Sequence, residues 1–367
     1  MADLYRWVRR ALFSLDPETA HRITLGTMGL LGKIHPPNQY LADAWRGALP
    51  THPVEAMGLC FPNPVGLAAG LDKNATAVDG LAGLGFGFLE LGTVTPLPQG
   101  GNARPRMFRL TGAQAVINRM GFNSAGLNTF LLNLGRHKQQ VIIGINIGRN
   151  ATTPNELAYR DYLTGLRAIY TVADYITVNI SSPNTATLRE LQERHALNQL
   201  LACLKDEQAR LADQHGRYTP IAVKIAPDLS TQEIKEIADA LLHYQVDGVV
   251  ATNTTTTRPL DERLYPEVFE SGGLSGAPLA TLSQRVIAEL KRHVGADLPI
   301  IGVGGITDVA SARATLAAGA TLIQLYTGLI YRGPGLLREI LNAHGSWSTP
   351  EPGIHSPPLK QGDRIEL

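Results

Sequence analysis

IAVKIA at 221–226, GVVATN at 248–253, IIGVGG at 300–305 and LIQLYTG at 322–328 set the rhythm of this chain. Each run is short, nearly continuous in apolar residues and rich in β-branched side chains, the pattern of a strand buried on both faces. The segment after the first of them repeats Ile234, Ile237, Ala238 and Leu241 at helical spacing. The same alternation extends backward through VGLAAGL (65–71), FGFLELGTV (86–94), VIIGINIG (141–148) and YITVNIS (175–181), which brings the runs to eight. Eight buried strands alternating with helices predict a closed parallel (β/α)8 TIM barrel over residues 46–345. An open doubly wound sheet also alternates this way, and the pattern alone leaves it open.

Ahead of the barrel, residues 1–45 read as a small helical extension. Leu4, Val8, Ala11 and Leu12 recur at helix spacing, with Arg6, Arg9 and Arg10 on the polar side. Asp16-Pro17-Glu18 predicts a second helix start: an N-cap acceptor, a first-turn proline and an acid at the positive dipole end. Ala20, Ile23, Thr27 and Leu30 form its stripe, and Gly32 with His35-Pro36-Pro37 is its expected end, before a linker over about 36–52. Residues 346–367, rich in proline, glycine and charge, read as a flexible tail.

The 33 basic and 32 acidic residues give a net charge of +1, which supplies no electrostatic reason to expect nucleic acid. Two cysteines, Cys60 and Cys203, lie far apart, so neither a disulfide framework nor a cysteine metal site is expected. No apolar run approaches the roughly 18 residues of a spanning helix, and no secretory signal is legible, so any membrane contact is expected to be peripheral.

Barrel enzymes place chemistry at the C-terminal ends of their strands. Here the exits offer Asp72-Lys73, Thr93, Asn146, Asn179 with Ser181-Ser182-Pro183-Asn184, Lys224, Thr252-Asn253-Thr254, Gly304-Gly305 and Tyr326-Thr327-Gly328. Amides, hydroxyls and two lysines suit a planar hydrogen-bonding ligand and an anion; no histidine and carboxylate set suggests a metal. Glycines on the last two strands let backbone N–H groups approach phosphate oxygens, although simple turn chemistry uses the same residues. Lys73 and Lys224 could equally be rim ion pairs, partners of a ligand charge or Schiff-base lysines. Asn179 and Asn184 could close an Asx turn, and Cys203 reads as packing.

At these residues the sequence resembles the dihydroorotate dehydrogenase family. The matching stretches are Ala69–Lys73, Gly92–Pro96, Ile117–Asn123, Gly144–Gly148, Asn179–Thr185, Val223–Asp228, Ala251–Thr254, Gly272–Gly276, Gly302–Gly305 and Tyr326–Gly328, in order across about 64–344. Each is weak alone, and ten in order are specific. Ala20-His21-Arg22 in the helical extension resembles the class 2, quinone-reducing members. So does Ser182, where the soluble class 1 enzymes place a cysteine. The chain departs from the usual wording at Thr185-Ala-Thr-Leu-Arg189, where Pro-Gly typically follows the threonine.

The resemblance implies oxidation of dihydroorotate to orotate in pyrimidine synthesis, with FMN as cofactor and a membrane quinone as final acceptor. It implies FMN contacts from Ala69, Gly70, Leu71, Asp72, Lys73, Thr93, Asn146, Asn179, Lys224, Thr252, Gly276, Gly305, Tyr326 and Thr327. It implies a substrate site of Lys73, Asn118, Arg119, Met120, Gly121, Phe122, Asn179, Asn184, Asn253 and Thr254, with Ser182 as catalytic base. His21, Arg109 and Tyr326 would face the quinone, with the basic helical pair against anionic lipid on the cytoplasmic face of a bacterial inner membrane. Three other readings compete: a tRNA dihydrouridine synthase, expected to be basic and to use a cysteine; a flavin-free Schiff-base aldolase; and a non-catalytic membrane scaffold.

Overall fold

The computed structural model describes residues 2–33, 49–138 and 140–347. Two helices, α1 (Ala2–Phe13) and α2 (Pro17–Lys33), form the N-terminal hairpin. A short hairpin of β1 (Val54–Ala56) and β2 (Leu59–Phe61) follows. Its two turn residues, Met57 and Gly58, both take positive φ, as a tight hairpin turn requires.

The eight expected runs all become strands of one closed parallel barrel, which removes the open-sheet alternative. They are β3 (Val65–Leu67), β4 (Phe88–Val94), β7 (Ile142–Ile147), β8 (Tyr175–Asn179), β9 (Ile221–Ile225), β10 (Gly248–Ala251), β12 (Ile300–Val303) and β13 (Leu322–Leu325), in that spatial order. Helices α3 (Val78–Ala82), α4 (Gly126–Leu134), α5 (Ala158–Ile169), α6 (Arg194–His215), α7 (Thr231–His243), α8 (Ala280–Val294), α9 (Val309–Ala317), α10 (Thr327–Arg332) and α11 (Gly335–Trp347) fall between or after them. An antiparallel sheet in the order β11 (Gly273–Gly276), β6 (Ala115–Asn118), β5 (Met107–Leu110) is an excursion that the strand–helix rhythm does not announce. It joins the loops after the second and sixth barrel strands.

Period-two alternation fills the barrel in layers. Phe61, Phe88, Tyr175, Ala222, Val250, Ile301 and Leu322 form an apolar plug, with Phe88 and Tyr175 rings 6.2 Å apart and edge-on. Gly66 and Gly144 make room for it: a Cβ at either would sit 2.3 Å from the Phe88 ring or 2.1 Å from the Tyr175 ring. Two residues further along the same strands stand Glu90, Lys224 and Gln324, buried and polar. The barrel thus has a dry floor and a polar layer above it.

The N-terminal hairpin departs from expectation in its details. Asp16 caps α2 as predicted, accepting the Thr19 N–H at 2.9 Å. Of the expected stripe only Ala20 is buried, and Ile23 and Leu30 are 45% and 61% exposed. Packing instead uses Leu25, Met28, Gly29 and Gly32, and Gly80 on α3 lies so close that a Cβ there would meet the Met28 carbonyl at 2.1 Å. Gly32, next to last in α2 as described, is also a contact residue; His35-Pro36-Pro37 and most of the expected linker lie outside the described residues. Arg9 is not turned to solvent, since its guanidinium donates to the Tyr331 carbonyl at 2.8 Å. Tyr5 and Phe13 likewise dock on α10, through the Ile330 carbonyl and the Tyr331 ring. At the other end α11 runs on to Trp347, past the expected start of the tail, and the rest of the tail is outside the described residues.

Candidate active site

A single cavity of about 550 Å³ opens at the C-terminal ends of the strands, within the size range of small-ligand and cofactor sites. It brings together almost every residue singled out from the sequence. Ala69, Gly70, Leu71 and Lys73 come from the β3 exit, Thr93 from β4, Asn179, Ser182 and Asn184 from β8 and Lys224 from β9. Thr252, Asn253 and Thr254 follow β10, Gly305 follows β12, and Tyr326 and Thr327 follow β13. The excursion sheet and its flanks add Asn118, Met120, Gly121, Phe122 and Gly276, which closes the mouth from above. His21 and Arg109 line the same cavity from the hairpin side.

Three predicted residues are placed elsewhere. Arg119 turns outward to pair with Glu270 at 2.6 Å and lies over the Phe108 ring. Asp72 spends its carboxylate on the next turn of chain, accepting from Thr76 and Ala77 N–H groups at 2.9 and 2.7 Å. Asn146 is fully buried beneath the cavity and acts on its neighbours. Asp72 and Arg119 each sit between two cavity residues, and sequence adjacency does not reveal which way a side chain turns.

The amides are oriented by one another. A register shift between β4 and β7 at Gly92/Val94 leaves Thr93 as the extra residue, and its hydroxyl donates to Asn146 Oδ1 at 2.6 Å. Asn179, level with Lys224 in the sheet register, donates from Nδ2 to Thr93 Oγ1 at 3.0 Å and Asn146 Oδ1 at 3.2 Å. Asn253 Nδ2 donates to Ser181 Oγ and Asn179 Oδ1 at 3.1 and 3.3 Å. Asn184 Nδ2 donates to Asn118 Oδ1 at 3.1 Å, while its own Oδ1 is buried without a partner. Such an unpaired acceptor is costly unless a ligand N–H meets it.

Ser182 is buried, and its Oγ accepts the Asn184 N–H at 3.2 Å. Its loop is held at both ends. Arg189 donates to the Ser181 and Thr254 carbonyls at 3.1 and 2.7 Å and pairs with Asp228. Arg149 donates to the Thr153 and Ala186 carbonyls. This is the stretch whose wording departs from the family, and there Thr187 takes a left-handed φ of 57°. These arginines were missed from the sequence, as was the Thr185 hydroxyl, buried in the same loop without a partner. Glu90 was missed too, although a glutamate inside an apolar strand run is a legible anomaly.

The lysines are electrostatically distinct. Burial, and then the Arg106 charge, pull the Lys73 ammonium down to about 7, with Glu18 opposing, and Asn123 Oδ1 accepts its hydrogen bond. Burial also lowers Lys224, with Glu90 opposing from 4.0 Å. On the hairpin side, burial and the Lys73 charge lower His21 to about 4, so its ring is neutral at physiological pH. Arg109 donates to the Phe13 and Leu15 carbonyls at 2.9 and 2.6 Å and lies over the Phe13 ring, pinning the end of α1. Among the described residues no cluster of three or more His, Cys, Asp or Glu could hold a metal ion, and no helix is long and apolar enough to cross a membrane.

Glycines mark the tight turns of the late loops at the cavity. Gly276, Gly304 and Gly305 take φ of 95°, 119° and 78°, and a Cβ on Gly305 would fall 2.2 Å from the Ala280 backbone. Only glycine permits these turns.

Comparison with known proteins agrees with this geometry. The family model described as dihydroorotate dehydrogenase matches residues 52–344. A protein of Burkholderia cenocepacia named dihydroorotate dehydrogenase (quinone) is 54% identical over 93% of this chain and 97% of its own length. A protein of the same name from Aromatoleum aromaticum is 53% identical over 93% of this chain and 95% of its own. Among solved structures, ligand-free DHODH from Eimeria tenella superposes with a TM-score of 0.76 at 38% identity, covering 89% of this chain and 93% of that one. With the barrel, the amide cluster and these matches along nearly its whole length, the chain belongs to the dihydroorotate dehydrogenase family.

Proposed function

We propose that this protein oxidises dihydroorotate to orotate for pyrimidine biosynthesis, passing the electrons through FMN to a membrane quinone. The observation that carries the reading is one continuous cavity: Lys73, Ser182, the asparagines and Lys224 line one part of it, and the α1/α2 hairpin lines another. One half of the reaction needs the first group, and an apolar acceptor needs the second.

The residues fit FMN. The cavity has the required size, the Gly276, Gly304 and Gly305 turns admit close approach of phosphate oxygens, and Gln324 presents a buried Oε1 without a partner. Ala69, Gly70, Leu71, Thr93, Asn179, Lys224, Thr252, Tyr326 and Thr327 would hold it, with Asp72 and Asn146 supporting from behind. When bound, FMN supplies a two-electron hydride acceptor.

The chain's own residues then bind and deprotonate the substrate. Lys73 offsets its carboxylate. Asn118, Asn184 and Asn253 pair with the ring carbonyls and N–H groups, since each amide both donates and accepts. Met120, Gly121, Phe122 and Thr254 complete the wall. Ser182 Oγ takes the proton from the carbon next to the one that gives up hydride while its own hydroxyl proton passes to a water molecule and on to solvent, and the Arg149 and Arg189 clamps keep it in place. The arginine-rich hairpin rests against anionic lipid at the cytoplasmic face of a bacterial inner membrane, and quinone enters between its helices past His21 and Tyr326.

The test is spectroscopic. The purified protein is expected to be yellow, to bleach when dihydroorotate is added without oxygen, and to recover colour with a quinone. Ser182→Ala is expected to keep the colour but slow bleaching at least ~10²-fold, as expected for a lost general base. A colourless protein that takes up no FMN refutes the function, and bleaching of the variant at the wild-type rate removes Ser182 from it.

A further inference from the structure

The proposed chemistry does not account for Glu90. It is fully buried, in the polar layer just under the cavity, where a carboxylate is expensive to place without compensation. Three donors meet it: Asn146 Nδ2 at 2.8 Å on one oxygen, and Gln324 Nε2 and the Tyr175 hydroxyl at 2.7 and 3.1 Å on the other. The fourth neighbour is Lys224, whose Nζ lies 4.0 Å from the Asn146 side of the carboxylate. Among the described residues that ammonium makes no hydrogen bond, and Glu90 is the only acid paired with it.

We propose, building on the FMN reading above, that Glu90 is a positioning residue that acts through Lys224, keeping it cationic beneath the flavin so that the flavin is more easily reduced. Two features of the geometry support this. The ion pair is oriented: Lys224 lines the cavity while Glu90 lies behind it, so a ligand in the cavity meets the positive end first. Burial alone drives the ammonium toward its neutral form, and Glu90 is the group that opposes this. The carboxylate also fixes the amides. An ionised carboxylate only accepts, so Asn146 must present Nδ2 to it and Oδ1 to Thr93 and Asn179. Asn179 must then donate to Asn146, which leaves its Oδ1 for Asn253. One buried charge therefore sets the polarity of three asparagines in sequence.

Glu90→Gln removes the charge and keeps the shape. Gln324 can reverse its amide and accept through its unpartnered Oε1, and the Tyr175 hydroxyl can turn to accept, so the hydrogen bonds survive. The measurement is the midpoint potential of bound FMN at pH 7.5, by spectroelectrochemistry, for wild type, E90Q, K224M and E90Q/K224M, together with FMN content. E90Q is expected to lower the ratio of reduced to oxidised FMN at a fixed potential at least ~10-fold, about 30 mV for a two-electron couple. K224M is expected to do the same, and E90Q to add nothing in the K224M background, because residues that act as a unit are not additive. A potential in E90Q that is unchanged or raised overturns the proposal, as does an undiminished effect in the K224M background. If E90Q retains no flavin, recovery of flavin in E90Q/K224M supports the pairing, since removing both charges leaves neither stranded. Loss in both, with K224M loaded, overturns it. Wild-type protein that binds no FMN refutes the underlying function, a result distinct from all of these.

Discussion

If Lys73 is the partner of the substrate's carboxylate, as proposed, affinity should depend on pH in a range where lysines are normally silent. Burial, and then the Arg106 charge, pull its ammonium down to about 7 from an ordinary value of 10.5. A bound carboxylate reverses that preference, so binding above pH 7 must take up a proton. Below about pH 7 the ammonium is already present and affinity is flat. Above it, each pH unit weakens binding tenfold until the value of the complex is reached. Between pH 6 and 8.5 the expected weakening is about 30-fold, or about 2 kcal/mol. His21 does not contribute, since its ring is neutral above about 4, and Tyr326, raised to about 12 by burial, stays protonated. The assay is calorimetric titration of orotate into FMN-loaded enzyme, in pairs of buffers of unlike ionisation enthalpy. About one proton should be taken up per site at pH 8.5 and about a tenth of one at pH 6, following the same titration. Lys73→Met is expected to bind weakly with no pH slope, which separates Lys73 from Lys224. A wild-type affinity that is flat over this range, with no proton exchange, would refute the electrostatic argument.

The hairpin supports three further predictions. Glu18 accepts from Arg106 and Arg104, and the Arg106 hydrogen bond is the main reason its carboxyl lies below 4.5. Its contribution is thus complete above pH 4.5 and fades as pH falls through the depressed value; Glu18→Gln should cost about 1 kcal/mol at neutral pH in denaturant titrations, with the gap to wild type closing in acid. Gly80→Ala should cost about 2 kcal/mol, because the new methyl meets the Met28 carbonyl and pushes α2 off α3; an unaltered melting curve would mean that the helices have slack. Arg109→Ala should release the end of α1, losing about 2 kcal/mol locally. Hydrogen exchange of residues 2–15 should then rise while bleaching by dihydroorotate is retained, and unchanged protection would show that the cap is idle.

The barrel was legible because buried parallel strands leave a strong trace: eight short apolar runs alternating with helical segments, each ending in polar residues. The cavity residues followed, since a strand exit in a barrel is a position, and the position implies a direction. What escaped was everything decided by side-chain rotation or by contacts distant in sequence. Arg119 sits between two cavity residues and faces away. The α2 stripe has helical period, yet glycines 29 and 32 make the closer contact, and small residues are invisible to a hydrophobicity pattern. The β5–β6–β11 sheet pairs segments more than 150 residues apart, as in Leu274 opposite Ile117, and no local signal announces such a partner. Arg149 and Arg189 look like surface charges until their carbonyl partners are seen.

The two ends of the cavity are joined mechanically as well as by open space. Arg106 holds Glu18 of α2 on one side and the Gly100 and Asn102 carbonyls on the other. Asn102 in turn donates to the Asn184 carbonyl, and Asn184 pairs with Asn118. A path of hydrogen bonds thus runs from the helix that would receive the quinone to the amide that would read the pyrimidine. The same Arg106 and Glu18 charges act on Lys73 with opposite sign, so the helix contributes to the field at the substrate carboxylate. A hairpin that merely anchored the barrel to lipid would need neither connection. Its closeness to the substrate wall is what a single cavity serving two half-reactions demands, because the donor and the acceptor must approach one cofactor without opening it to water.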